Sequence, residues 1–554
     1  MQTVSNKWID EHKKVILNES FVEVSLDIAD PESLAVASSR DNGAIYISNS
    51  GNVVYEPDTP APPYCTLEQN LWCLDGNREA IPEIALEDSG YVSDVLSDDT
   101  CVFSTKFPII TIEFPQVFTT LIPGITITWG EIYGEFADTF EVIAYNGDAI
   151  VARKEVTQNR SVKSLIFVDI ANYNRIDIVI KKWCLPNHRA RVWEIFVGAH
   201  KVYGKTELFD YSHSQSVDPV SLSLPKSEIK FSVDNSSGEY NPYNTSGLAR
   251  FLTERQEIKA RYGLKLDDGT IEWIKGGTFY LSEWNAKQNG LTADFTARDL
   301  FESLSDIFYD KDFDNSPTTI SIQGRTLKQL VELLFTAANL PSSKWKIDDS
   351  LEDIQCRAPL PNDSIANCLQ LIANASMCTL YVDREGVINL TPLSEEIKTP
   401  EYRIDSFNSY SKSEVTLSKP IKQIVVKGYS YLGSKNNKDI KSETVDVVID
   451  VGSVGETITL DNPLITFEIN EEAITPDEQY TYIHAKRVGE WLATHLSQRM
   501  TINSTWRADV RLDPLDIVTN TNEYNTSKVR MTNVEYRYNG AFRATGEGKV
   551  IGNG

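Results

Sequence analysis

The sequence predicts a mainly β, multidomain (α+β) chain, with two β domains flanking a small α/β domain, plus a β jelly roll. Short runs rich in Ile, Val, Phe and Thr, separated by turn residues, recur from 107 to 197, the pattern of a sandwich or jelly roll. Strand-like runs return after 204 and again after Pro400, on either side of a stretch whose apolar spacing is helical. A chain of 554 residues also exceeds what one core serves, and the usual domain size suggests roughly three or four domains.

Taken in order, residues 6–17 carry an amphipathic helix pattern, with Trp8, Ile9, His12, Val15 and Ile16 on one face. Val22, Val24, Leu26 and Ile28 alternate with polar residues as a half-buried strand that Asp30-Pro31 ends, and Asn42-Gly43 reads as a tight hairpin. A Pro-rich stretch, Pro57 to Pro63, marks the first boundary. Strands are expected at 107–114, 121–129, 139–145, 149–156, 164–170, 174–181 and 190–197. Further strands at 256–264, 271–284 and 291–297 turn at Asp268-Gly269 and Asn289-Gly290 and lead into a helix near 298–309. Thr326 caps a helix with Leu327, Leu330, Val331, Leu334 and Ala338 on one stripe, and Asp363 or Ser364 caps a second. A hairpin at Glu385-Gly386 follows, then β structure interrupted by a helix from about Asp477 to Arg499, and a last hairpin through Asn539-Gly540. The expected domains are 1–60, a helix and strands that form part of the first barrel; 61–203, the jelly roll; 204–310, the first barrel; 311–398, the α/β domain; and 399–554, the second barrel with its long helix.

With 53 basic and 79 acidic residues the formal charge is −26. That argues strongly against a duplex-DNA-binding surface, which needs a basic patch. It fits either a surface past which DNA slides without adhering or simple solubility. No apolar run approaches the ~20 residues of a membrane helix, and residues 1–20 lack a secretion signal pattern, so assembly in the cytoplasm is expected. The seven cysteines include no CxxC pair and read as free thiols.

Motifs for catalysis fail one after another. Gly198 to Thr206 approaches a P-loop, but five residues separate its glycines instead of four and no helix pattern follows. There is no HExxH or zinc-finger spacing, and His484 and His495 stand eleven residues apart, ~16 Å along a helix, too far for one metal. No GxSxG elbow appears, and no carboxylate pair stands out among the acids. The expectation is therefore no catalytic residue, no metal and no cofactor. Recognition chemistry is better represented. Trp129, Tyr133, Trp183 and Trp193 sit in or beside jelly-roll strands, where an aromatic is either core or a face for a sugar ring. The loop from Trp183 to Arg189 gathers Trp183, Asn187, His188 and Arg189 at one turn. The candidate glycan-binding set is Trp129, Tyr133, Trp183, Asn187, His188 and Arg189.

Two resemblances add to this reading. The stretch Arg189-Ala190-Arg191-Val192-Trp193-Glu194-Ile195-Phe196-Val197-Gly198, beside Arg175 to Ile180, resembles the last strands of discoidin or galactose-binding-like jelly rolls. That likeness implies loops at one end that bind glycans or lipid headgroups. The segment Leu224 to Asn235, continuing through Tyr240-Asn241-Pro242-Tyr243-Asn244 and Gly277 to Trp284, and later Arg511 to Val518, resembles tail proteins of phages of Gram-positive bacteria. Region 204–554 is similar to the baseplate hub and the N-terminal region of tail-associated lysins.

This second resemblance implies a structural tail-tip hub. Three copies would form a ring whose six barrels meet a sixfold tail tube, with DNA passing through an acidic lumen. Implied neighbours are distal tail or tail-tube proteins, a tape measure protein and a central spike or fibre. The jelly roll would add contact with a host cell-wall glycan, and the location would be the virion tail tip. The alternatives are a receptor-binding adhesin recognising cell-surface glycans and a wall-degrading enzyme. The stop at Gly554, where tail-associated lysins continue into a peptidase or fibre, counts against the enzyme.

Overall fold

The computed structural model describes residues 1–45, 48–54, 64–65, 79–80, 90–130, 133–245, 247–252, 256–286, 290–309, 325–393, 402–432, 441–469, 480–481 and 483–553. Two compact units result: Met1–Val24, Tyr203–Ser237 and Ile258–Gly554 form the first, and Ser25–Val202 with Gly238–Glu257 the second. The fold is mainly β and multidomain. The Pro57–Pro63 stretch, Asn289 and the expected helix start at Asp477 lie outside the described residues.

Helix α1 (Asn6–His12) is capped by Ser5, whose hydroxyl accepts from the Trp8 N–H. It is shorter than the pattern over 6–17. The Glu11 carboxylate accepts from the Asn18 N–H and from Lys14, which folds the chain back and leaves Val15 and Ile16 exposed instead of on a buried face. β1 (Ser20–Ala29) alternates as expected, with Val22, Val24, Leu26 and Ile28 buried. Asp30-Pro31 ends it by starting α2 (Pro31–Val36), for which Asp30 is the N-cap.

Asn42-Gly43 is not a hairpin. β2 (Ser38–Asp41) pairs antiparallel with a strand seventy residues on, Ser38 opposite Glu113 and Asp41 opposite Ile110. The Asn42 side chain holds that crossing, donating to the Phe107 carbonyl and accepting from the Ile109 N–H.

The second unit continues with β3 (Tyr91–Leu96), β4 (Ile109–Phe118), β5 (Ile122–Thr128), β6 (Ala137–Asn146), β7 (Ala149–Val156), β8 (Lys163–Ile170), β9 (Tyr173–Trp183), β10 (Arg189–Val192) and β11 (Glu194–Phe196). One sheet runs β2-β4-β9-β6-β7, a second β8-β5-β11, and β10 pairs with β3. Inward side chains of both sheets, among them Ile112, Ile127, Phe140, Ile178 and Ile195, make one core. Gly124 is required where β5 meets β8: its φ is +142° and a Cβ there would lie 1.8 Å from the Ile166 carbonyl oxygen. All seven residues of β5 are buried. The turn Leu248–Phe251 packs on this strand, anchored by a two-bond Arg250–Asp169 pair at 2.8 and 2.6 Å. The P-loop-like stretch forms β12 (Gly198–Tyr203), a strand.

In the first unit follow β13 (Leu208–Ser216), β14 (Lys226–Asp234), β15 (Glu257–Lys265), β16 (Ile271–Ala286), β17 (Thr292–Arg298) and α3 (Leu300–Ser305). The α/β part holds α4 (Leu327–Ala337), β18 (Trp345–Ile347), α5 (Ile365–Ala375), β19 (Cys378–Val382) and β20 (Ile388–Pro392). Thr326 caps α4 in a reciprocal box with Gln329, and Ser364, the second of the two candidates, caps α5. Then come β21 (Arg403–Ile404), β22 (Glu414–Leu417), β23 (Ile421–Leu432), β24 (Lys441–Asp450), β25 (Glu456–Thr466), α6 (Ile483–Leu496), β26 (Met500–Arg507), β27 (Ile517–Thr521), β28 (Thr526–Tyr538) and β29 (Phe542–Asn553).

The main sheet of this unit runs β15-β16-β17-β14-β13-β28-β29-β26-β22, with β1 beside β15. β13 is the hinge of the topology. It pairs with β14 on one side and, from Tyr211 opposite Tyr538 to Ser216 opposite Asn533, with β28 on the other. The early and late β arrays are thus one hydrogen-bonded sheet. Helices α4, α5 and α6 share a second core with β19, β20, β23 and β25. α6 comes so close to β23 and β24 that a Cβ at Gly489 would lie 2.6 Å from the Ile449 side chain.

Candidate functional site

The predicted recognition residues lie at one end of the two-sheet domain of the second unit, and the structure separates them into core and surface. Trp129 and Trp183 are fully buried and pack edge to face with centroids 6.1 Å apart. Each indole N–H is already used: Trp129 donates to Ser164 Oγ and Trp183 to Glu135 Oε2, both at 2.8 Å. Neither has a face left for a sugar ring, because closing the sandwich core consumes both.

The loop after β9 remains at the surface. Ser97 pins it: the Ser97 N–H donates to the His188 carbonyl, the Asn187 N–H donates to the Ser97 carbonyl, and Ser97 Oγ donates to the Leu185 carbonyl. Asn187 takes a φ of +58°, which its short polar side chain tolerates, and that side chain donates to Asp99 at 3.1 Å. His188 Nδ1 lies 2.7 Å from the Pro186 carbonyl, and Nε2 stands 3.8 Å from the buried Glu135 carboxylate. Arg189 reaches back to the Ser93 and Asp94 carbonyls at 3.0 and 2.7 Å. Tyr133 is half-buried, and the Arg191 guanidinium lies 4.5 Å from its ring centre. Tyr133, Asn187 and His188 therefore share this end of the domain with Glu135, Asp99 and Arg191, which sequence reasoning did not select. Arg191 stood in the quoted strand motif; Glu135 and Asp99 carry no local signal, being ordinary loop acids until the fold closes.

The first unit holds a cavity of about 80 Å³, bordered by His213, Ser227, Phe279, Asp299, Arg384 and Asp513. Arg384 is buried and its donors are occupied: Nε by Asp513 at 2.7 Å, Nη1 by the Lys275 carbonyl, and Nη2 by the Val510 and Leu512 carbonyls. His213 is held between Tyr262 Oη at 2.7 Å and Ser227 Oγ at 3.0 Å. Burial, reinforced by Arg384, holds it well below the usual imidazole range. Burial also raises Tyr211, Tyr262 and Tyr536 and pushes the Asp299 carboxyl up to about 7. These groups satisfy one another. The space suits a few bridging waters and the network suits fixing a junction between the elements that supply it.

Among the described residues no three His, Cys, Asp or Glu side chains converge as a metal site, and no helix is long and apolar enough to cross a membrane. His484 and His495 lie on α6, where His495 meets the Trp491 ring edge to face.

No protein-family model and no curated protein matches the chain. Solved structures similar to it include the 43 kDa tail protein of prophage MuSo2 from Shewanella oneidensis, at 12% identity and a TM-score of 0.40 over 63% of this chain and 95% of that one. A tail protein from Neisseria meningitidis MC58 matches at 11% identity and a TM-score of 0.41, over 64% and 94%. Prophage tail protein gp18 from Listeria monocytogenes EGD-e matches at 13% and 0.35, over 63% and 91%. Similarity at this level assigns no function.

Proposed function

We propose that the chain is a non-enzymatic structural subunit of a phage tail or tail-like particle, acting as a baseplate hub at the tail tip. The observation that carries this reading is the β13–β28 ladder, which makes the two β arrays of the first unit one scaffold around an α/β insert. A hub needs its β arrays held together as one rigid piece, and the sequence resemblance over 204–554 points the same way. In this reading the chain is a homotrimer with closed cyclic symmetry. It adapts a sixfold tail tube to the tip, beside tail-tube, tape measure and spike or fibre proteins. The acidic chain, at −26, suits a lumen through which DNA passes without adhering.

Light scattering on the purified chain tests the reading, with images of the particles. Three copies in a ring with a central opening are expected, and a chain that stays monomeric at high concentration refutes it.

The jelly roll is proposed as an accessory glycan-binding domain, with Tyr133, Asn187, His188 and Arg189 as its contact set. The same cluster is what favours the second reading, an adhesin for cell-surface glycans. Binding to purified bacterial wall polysaccharide, measured calorimetrically, should be lost on Tyr133→Ala or His188→Ala. Unchanged binding in both variants removes this site.

A further inference from the structure

We propose that β22 is the edge at which a second copy of this chain docks, head to tail. The sheet ends at this strand. Among the described residues β22 pairs only with β26, from Glu414 opposite Asn503 to Leu417 opposite Met500, so its outer row of backbone groups has no ladder partner there. An unpaired strand edge is a template for another chain.

The side chains give the same direction. Strand residues alternate between faces, so Val415 and Leu417 continue the stripe that Trp506 and Ile502 begin. Trp506 and Ile502 are buried, but the stripe then runs out from under its covering layer: Met500 is 41% exposed, Val415 48% and Leu417 62%. Phe407 and Tyr410, just upstream, are exposed as well. A core-facing stripe that outlasts its core is apolar surface in need of a partner.

Charge identifies the partner and its orientation. Segments 407–422 and 499–507 carry Lys412, Lys419, Lys422, Arg499 and Arg507 against one carboxylate, Glu414. Lys412 is ion-paired with Glu523, Arg507 donates to the Val15 and His12 carbonyls, and Lys419, Lys422 and Arg499 keep the rim basic. The chain as a whole carries −26. The acidic remainder of another copy complements this rim, whereas two such rims facing each other repel. The contact is therefore between unlike surfaces, and contacts of that kind close into rings when the rotation permits. The proposal shares with the hub reading only the premise that copies of the chain meet.

The test is light scattering on the full chain across concentration and from low to high salt. Wild type is expected to assemble and to weaken as salt rises. Leu417→Asp and the pair Lys419→Glu with Lys422→Glu should each raise the dissociation constant at least tenfold. Val448→Asp, at an exposed position of β24, should leave it unchanged, and circular dichroism should show all variants folded. If wild type and Leu417→Asp are both threefold rings, the β22 interface is wrong and the hub reading stands. If wild type forms open chains, or rings of another number, that Leu417→Asp disperses, the interface stands and the hub reading falls; a closed dimer overturns both. A monomeric wild type overturns both.

Discussion

Arg384 shows how a single buried charge is kept. Its guanidinium meets Asp513 and three backbone carbonyls, so the cost of leaving water is offset by four donated hydrogen bonds. Those partners come from β16 and from the segment before β27, while Arg384 sits on the β19–β20 turn. Arg384→Met should lower stability by about 3–5 kcal/mol, read from urea unfolding, because three backbone carbonyls lose their buried donor and Asp513 its counter-charge. Asp299, beside the same cavity, behaves differently. Its carboxyl, pushed to about 7 by burial while capping α3 through the Phe301 N–H, is held neutral by the fold. Its contribution is full at pH values below the ordinary carboxylate range and is lost as pH rises to about 7. The melting temperature should therefore fall between about pH 4 and pH 7 and level off above that, and Asp299→Asn, whose oxygen still accepts from Phe301, should flatten that fall. The sequence hid both residues. The Asp383 to Gly386 stretch reads only as a turn, and the Asp513 partner lies 129 residues away. Trp129 and Trp183 were ambiguous for a related reason: a tryptophan beside a loop has the same local pattern whether it faces sugar or core.

Helix starts were legible because a cap is local. Thr326 with Gln329, and Ser364, satisfy N–H groups within four residues, so a reader of the sequence sees cap and helix together. Thr326→Ala is expected to cost about 1 kcal/mol in thermal unfolding. Most strands of the second unit were legible too, since runs rich in Ile, Val, Phe and Thr lie between turn residues, although Tyr91–Leu96 was missed. What escaped was pairing. Asn42-Gly43 has hairpin composition, yet its strand crosses to Ile110–Glu113, and α1 stops early because Glu11 turns back to Asn18. Gly124 marks a close approach that no alternation reveals. Gly124→Ala drives a methyl into the Ile166 carbonyl, so its cost should exceed the cap's, above roughly 2 kcal/mol. Hydrogen exchange should locate the damage at β5 and β8.

At the scale of the whole chain, the alternation of β, α/β and β segments was readable from 204 onward. That the first and last segments share one ladder was not, because a strand's composition does not name its neighbour. The ladder makes the two arrays a single cooperative block. Val534, buried opposite Gln215, tests it: Val534→Asp should speed amide exchange in Lys226–Asp234 as well as in Phe542–Asn553. Protection lost only in the late array would mean that the two unfold separately.

The same ladder sets a clock on biosynthesis. β13 can fold against β14 as soon as Asp234 leaves the ribosome, but its other edge waits for β28, about 300 residues later. At 5–20 residues per second that delay is roughly 15–60 s. Throughout it, Tyr211 to Ser216 present an open strand edge in a crowded polysome, where neighbouring nascent chains carry the same edge. Slower translation lengthens the exposure and faster translation shortens it, so synonymous codon changes between 217 and 526 should alter soluble yield without altering the folded protein.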